Sequence, residues 1–284
     1  MSLSSLLRIK LLICIAFIGS ISEIQAQEFN NEKLESIYQI IKNEPYFTIF
    51  GDNYFTTGIP TNSKPSSQNS DVKFEIGFKQ RLTNLVLPFN TYGYLTYRQK
   101  SFWDVYKESA PFTESNYNPG FGFAKPIVSK KKGFNQGLFF QFEHQSNGRD
   151  SIYSRSWNYV SLSYLYMFKE NWQFALKVWQ PLGPINDNRD LLDYIGRHET
   201  SVTYMPNPRL VLETSIRKPL KWNWKGSLQL SVSYKIDKDA NQYVYVQYYL
   251  GYGESLIDYN ENVSMIRVGI TFKDFFGNLA KYAQ

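Results

Sequence analysis

The sequence predicts an all-β fold, a transmembrane antiparallel β-barrel of about twelve strands behind a cleavable signal peptide, and three observations predict it. Apolar and polar residues alternate over segments of about ten residues, the links between segments alternate between short and long, and aromatic residues crowd the segment ends. Aromatics make up 17% of the 284 residues and charged residues 20%, too aromatic for a disordered tail and too polar for a helical membrane protein. Ordinary glycine and proline contents and a single cysteine exclude collagen-like and disulfide-rich classes.

The first element is a leader, residues 1–26. Arg8 and Lys10 form a basic n-region, residues 11–18 (LLICIAFI) an apolar stretch too short to span a bilayer as a helix, and Ile24-Gln25-Ala26 a small-residue cleavage site. Cys14 lies inside that stretch, with almost no h-region before it to support lipid attachment, so the mature chain is expected to lack thiols, disulfides and Cys-ligated metals. Arg8, Lys10 and Glu23 leave with the leader, and the modest basic excess remaining from a formal charge of +6 suits an anionic membrane surface. Residues 27–45 read as an N-terminal periplasmic segment with a short amphipathic helix over 31–42, residues 46–276 as the barrel, and 277–284 as a C-terminal extension.

The strands follow from period-two alternation. Over 136–146, Leu138, Phe140 and Phe142 oppose Gln141, Glu143 and Gln145; over 157–168, Val160, Leu162 and Tyr164 oppose Ser161 and Ser163; Ile266, Val268 and Ile270 oppose Arg267 and Thr271. Strands are expected near residues 46, 72, 91, 119, 136, 157, 171, 196, 209, 226, 241 and 263. Residues 169–171 and 237–240 read as tight turns, Lys130-Lys131-Lys132-Gly133 as a solvated basic turn, and 53–70, 104–118 and 182–194 as long polar loops. A soluble β-sandwich is the competitor; strands near ten residues and aromatic strand ends favour the barrel.

The residues with chemical potential lie in EHQSNGRDSIYSRSWN. His144 and Ser146 are two apart on a strand and share the face of Phe140 and Phe142, which in a barrel is the lipid side. Asn158 has the parity of Val160 and Leu162 and also faces lipid; pairing 136–146 with 157–168 brings the three to one rim. Polar groups there are costly unless they serve a purpose. A serine needs a base to take its proton, and the base needs a third group to fix its tautomer, roles open to Ser146, His144 and Asn158. The following segment is rich in oxygen ligands and could supply amide donors, notably from Gly148, and hold a hard cation such as calcium. A well-capped external hairpin loop accounts for the same segment without chemistry.

The strings His144-Gln145-Ser146-Asn147-Gly148-Arg149, Ser154-Arg155-Ser156-Trp157-Asn158 and GYGESLIDYN (251–260) resemble the outer-membrane phospholipase A family, with support from Gln99-Lys100-Ser101-Phe102-Trp103, Pro111-Phe112 and Asn116-Tyr117. The resemblance runs from about residue 46 to 276. It implies a twelve-stranded barrel in the bacterial outer membrane that hydrolyses acyl esters of phospholipids and lysophospholipids from its outer face. It implies His144 as base, Ser146 as nucleophile, Asn158 as orienter and the Gly148 amide in the oxyanion hole. It further implies Ca2+ at Arg149 and Ser154, completed by Ser109 of a second subunit in an active homodimer, with Gln99 at the dimer interface. The segment Glu108-Ser109-Ala110 is shorter and less serine-rich than the family pattern, and the chain runs past Phe276, where the family commonly ends on an aromatic. Glu254 and Asp258 are expected to order the last external loop, with a direct catalytic role as the alternative. The alternative class is a non-enzymatic porin or adhesin barrel, which would carry its polar determinants in the lumen; a lipid A deacylase would lack this spacing. No nucleic-acid partner is expected.

Overall fold

The computed structural model describes Ile41 and residues 43–129, 133–169, 171–221, 223–237 and 241–273. The chain forms two compact units, Met1–Ile41 and Lys42–Gln284. The leader, most of the helix expected over 31–42, the lysines of the basic turn and the C-terminal extension lie outside the described residues.

The second unit is an antiparallel barrel. Its strands are β1 (Phe47–Ile49), β2 (Asn53–Pro60), β3 (Asp71–Arg81), β4 (Tyr92–Trp103), β5 (Phe112–Ser129), β6 (Gly133–Ser146), β7 (Ser156–Phe168), β8 (Trp172–Pro181), β9 (His198–Asn207), β10 (Leu210–Arg217), β11 (Ser227–Lys235), β12 (Gln242–Gly251) and β13 (Val263–Phe272). Each strand pairs with the next from β2 onward, and β13 returns to β2, with Val268 opposite Thr57 and Ile270 opposite Phe55. Twelve strands thus close without an edge, which satisfies the backbone in hydrocarbon. The strand ends joined through 61–70, 104–111, 147–155, 182–197, 218–226 and 252–262 lie at one end; those joined through 82–91, 130–132, 169–171, 208–209 and 236–241 lie at the other. The first set is the longer, as in barrels whose long loops are external.

Two expected loops are shorter than the sequence suggested, and the third, expected over 182–194, runs on to 197. Residues 53–60 form β2, residues 112–118 open β5, and the 182–197 connection contains a five-residue helix, α1 (Leu191–Ile195). In both new strands a row of polar residues faces inward. Thr56 on β2 donates to the Lys73 carbonyl, while Glu114 and Asn116 on β5 are buried, so polarity marked a lumen face and not a loop. The strand expected near 46 is only the three-residue β1, which continues the line of β2 along β3 after a break. At that break Phe50 donates to the Gly77 carbonyl, and a Cβ on Gly77 would meet the Phe50 carbonyl oxygen at 2.1 Å, so only glycine fits there.

Outward positions such as Phe55, Ile76, Leu95, Phe142 and Val268 are exposed and apolar, and inward ones such as Lys73, Gln141, Gln247 and Arg267 are buried and polar. Arg267 forks onto Asp71 and Glu254, at 2.8 and 2.6 Å, and Lys73 adds a 2.9 Å bond to Glu254. Glu254 belongs to loop 252–262, so this network draws the last external loop into the barrel mouth, where Leu256 and Tyr259 pack with Trp157, Trp179, Leu191 and Ile195. Within the lumen is a cavity of about 1060 Å³ lined by Lys100, Glu199 and Arg217 among others.

Burial pushes the Glu254 carboxyl up, but Arg267 and Lys73 overcome that and hold it at about 2. Because its folded value is depressed, its contribution is present above the ordinary value of 4.5 and lost as pH falls toward 2. Glu254→Gln is expected to cost about 3–5 kcal/mol at neutral pH. Denaturant midpoints in lipid vesicles should show this loss and should converge with the unsubstituted protein on acidification; a gap that persists unchanged in acid refutes the charge as the cause.

Candidate active site

The outer face of the barrel where β5, β6 and β7 meet the 147–155 loop gathers the predicted residues. In the register of β6 and β7, His144 lies opposite Asn158 and Ser146 opposite Ser156; on the other side Tyr117 of β5 lies opposite Ser146. All share the outward parity of the exposed Phe142 and Leu162. The His144 Nδ1 and Asn158 Oδ1 atoms are 2.8 Å apart. A carboxamide oxygen only accepts, so Nδ1 carries the proton and donates, leaving Nε2 with its lone pair. Among the described hydrogen bonds none joins Ser146 Oγ to the ring, a contact that resting sites commonly leave long.

The opposite side of the same wall holds this strand in place. Asn118 donates to the His144 carbonyl at 2.8 Å, and Glu143 accepts from Tyr159 at 3.1 Å and pairs with Lys177 at 2.7 Å. One residue faces the lumen and its neighbour the lipid, so a polar network inside fixes a polar pair outside.

After Ser146 the chain turns sharply. Gly148 has φ +67°, and a Cβ there would meet the Tyr117 ring at 3.0 Å, so glycine is required twice over. Buried Asn147 staples the loop: its Nδ2 donates to the Tyr153 carbonyl at 2.9 Å, and its Oδ1 accepts from the amides of Arg149 at 3.3 Å and Arg155 at 3.0 Å. The Arg149 side chain donates to the Thr113 carbonyl and lies with Nε 3.4 Å from the Glu114 carboxylate. Glu114 in turn accepts from Asn116 and from the Ile257 amide, and Asn116 accepts from the Leu256 amide at 3.0 Å. The recognisable string at 251–260 therefore grips the loop after Ser146 through two side chains of β5.

Ser154 Oγ donates to Asp187 Oδ2 at 2.8 Å, and Ser156 Oγ donates to the same oxygen at 3.2 Å. Sequence reasoning missed Asp187, which comes from the 182–197 loop and carries no local pattern. Ser109 is exposed on the 104–111 loop, and none of the described hydrogen bonds ties it to Arg149 or Ser154. Gln99 faces outward, accepting from Tyr97 at 2.8 Å and donating to Ser101 at 3.1 Å, which settles its register. Glu254 orders the last loop as expected, from within the lumen. Asp258 stays near the surface, where burial, reinforced by Glu261, pushes its carboxyl up.

A closed barrel with an apolar outer band defines a membrane-barrel protein, here with a polar cluster set into that band. The Phospholipase A1 family model matches residues 24–272. The Phospholipase A1 of Proteus vulgaris is 32% identical over 263 residues, covering 91% of this chain and 88% of its own. Among solved structures, the Salmonella typhi outer membrane phospholipase dimer with bound calcium superposes with a TM-score of 0.73 at 28% identity, over 85% of this chain and 98% of that one. An Escherichia coli outer membrane phospholipase A carrying an asparagine-to-alanine active-site mutation gives 0.74 at 28% identity, over the same shares, 85% and 98%. The chain belongs to the Phospholipase A1 family: it is a phospholipase of the bacterial outer membrane, and the porin or adhesin alternative falls.

Asn147→Ala removes the acceptor for two part-buried amides, so the loop is expected to lose about 1 kcal/mol of local stability. Hydrogen exchange at 147–155 should accelerate while the strands stay protected; unchanged protection in the loop defeats the staple.

Proposed function

We propose that this phospholipase hydrolyses the sn-1 and sn-2 acyl esters of phospholipids and lysophospholipids through Ser146, His144 and Asn158, with calcium and a second copy of the chain required for activity. The observation that carries the reading is the 2.8 Å His144–Asn158 pair on the lipid-facing side of the strand that also bears Ser146. An ester carbonyl at the membrane interface reaches this face laterally, without leaving the bilayer.

His144 Nε2 takes the Ser146 proton as Oγ attacks the carbonyl carbon. The Asn158 carboxamide oxygen holds the imidazolium that results, less strongly than a carboxylate would. The Gly148 amide donates to the new oxyanion, a contribution of about 3 kcal/mol. His144 then returns the proton to the departing glycerol oxygen, and a water activated by the same nitrogen releases the fatty acid from Ser146.

The residues present suit a hard cation. The Arg149 carbonyl, the Ser154 hydroxyl and the Asp187 carboxylate against it are oxygen ligands, and among the described residues no group of three or more His, Cys, Asp or Glu gathers. Calcium bound there would supply positive charge beside the oxyanion. So sparse a set is a weak half-site, which Ser109 of a second copy would complete. The calcium-bound dimer of the Salmonella typhi relative supports this, as does the outward Gln99, a polar group in the lipid band that a partner would cover.

Ser146→Ala is expected to abolish lipid hydrolysis, and reaction with a serine-directed sulfonyl fluoride, while leaving a heat-modifiable barrel. Asn158→Ala should lower kcat by on the order of 10² or more with little change in unfolding. EDTA should silence the refolded protein and added calcium restore it; hydrolysis indifferent to chelation removes the cation from the mechanism and leaves the triad.

A further inference from the structure

The connection 82–91 departs from the other links at its end of the barrel. Lys130-Lys131-Lys132, Lys169-Glu170-Asn171, Pro208-Arg209 and 236–241 all carry charge, whereas Leu82-Thr83-Asn84-Leu85-Val86-Leu87-Pro88-Phe89-Asn90-Thr91 carries none. Its apolar side chains are unburied: Phe89 is 85% exposed and Leu85 74%, with Leu82 and Val86 also open.

The loop is also built and not slack. Leu87 and Thr91 bond to each other through their backbones, Thr91 Oγ1 donates to the Pro88 carbonyl at 2.9 Å, and the Leu85 amide donates to Thr83 Oγ1 at 2.9 Å. This frame holds Phe89 at φ 64°, a left-handed conformation that a bulky residue rarely adopts, and the consequence is an aromatic ring turned outward.

Its direction is marked by Gly93, which shares the outward parity of Leu95 and Tyr97. A Cβ on Gly93 would meet Leu82 Cδ1 and Leu87 Cδ1, each at 3.6 Å, so both leucines fold over the lipid side of β4, and the short 3-10 turn Pro88–Asn90 lies beside β5. The apolar surface is continuous with an outward aromatic row in which the Phe47 and Phe78 rings are 5.0 Å apart and Phe78 and Tyr97 5.1 Å. Aromatic rows of this kind mark the membrane interface.

We propose that residues 82–91 form an interfacial wedge whose partner is the lipid of the leaflet at the short-turn end of the barrel, with Leu85 and Phe89 inserted among acyl chains. An uncharged loop folded against the lipid side, contiguous with the lipid-facing band, fits hydrocarbon better than water. The barrel is one hydrogen-bonded body, so an anchor at one end fixes its depth and with it the height of Ser146 at the other.

The test uses the full chain with Cys14→Ser and either Phe89→Cys or Leu85→Cys, labelled with an environment-sensitive fluorophore and refolded into phosphatidylcholine vesicles; Arg209→Cys on a charged turn is the control. Heat-modifiability reports that each variant folds. The labels at 85 and 89 should emit to the blue of the label at 209, lose most of their intensity to nitroxide on lipid acyl chains and resist iodide. Iodide quenching equal to that at 209 overturns the proposal. Protection from both quenchers also overturns it, since another segment or a second copy would then cover the loop.

Discussion

A strand in hydrocarbon has to find partners for every backbone N–H and C=O within the protein, and the return of β13 to β2 is what meets that demand here. The rest of the architecture follows from this closure. Once the sheet has no edge, its two faces are an inside and an outside, and the two-residue period of each strand sorts side chains between them except where the pairing bulges, as beside Trp103 and Val128. Polar and charged groups collect inside, where Arg267, Lys73, Asp71 and Glu254 neutralise one another, and apolar groups meet lipid. The same rule makes outward His144, Ser146 and Asn158 conspicuous, because the fold offers no structural benefit for polar groups at those positions.

A wall one residue thick couples the two environments. Lys177, Glu143, Tyr159 and Asn118 are linked lumen groups, and the last of them donates to the carbonyl of His144, whose ring points to lipid. The external loops act similarly. Loop 252–262 is drawn into the mouth by Glu254, and its amides at Leu256 and Ile257 hold Asn116 and Glu114, which hold Arg149. Charge pairs that are too deep to touch substrate therefore set the geometry at the rim, a use of buried ion pairs for positioning more than for net stability.

Much of this was legible in the sequence. Alternation over 136–146 and 157–168 gave both strands, their pairing and the outward parity of His144, Ser146 and Asn158, because the two-residue period assigns each position to one face and a slip of one residue would turn the apolar row inward. The misplaced loops share one cause: Thr56, Glu114 and Asn116 are polar in a lumen as they would be in a loop, and polarity alone does not separate the two. Asp187 and the Glu114–Arg149 contact were out of reach for another reason. They join positions more than thirty residues apart through irregular loops, where no period constrains which side chains meet.

Under the proposed mechanism, the sparseness of oxygen ligands around Ser154 has a physical meaning. Calcium affinity grows with ligand number and ligand charge, and a carbonyl, a hydroxyl and one carboxylate already shared between two serines offer little of either. Had the loop carried a cage of carboxylates, the cation would bind a lone barrel and the hydrolase would be active wherever it met lipid. A deficient half-site instead ties the cation to the arrival of a further oxygen ligand. Because the nucleophile faces the bilayer and its substrate is never scarce, control through cation occupancy is more effective than control through substrate access.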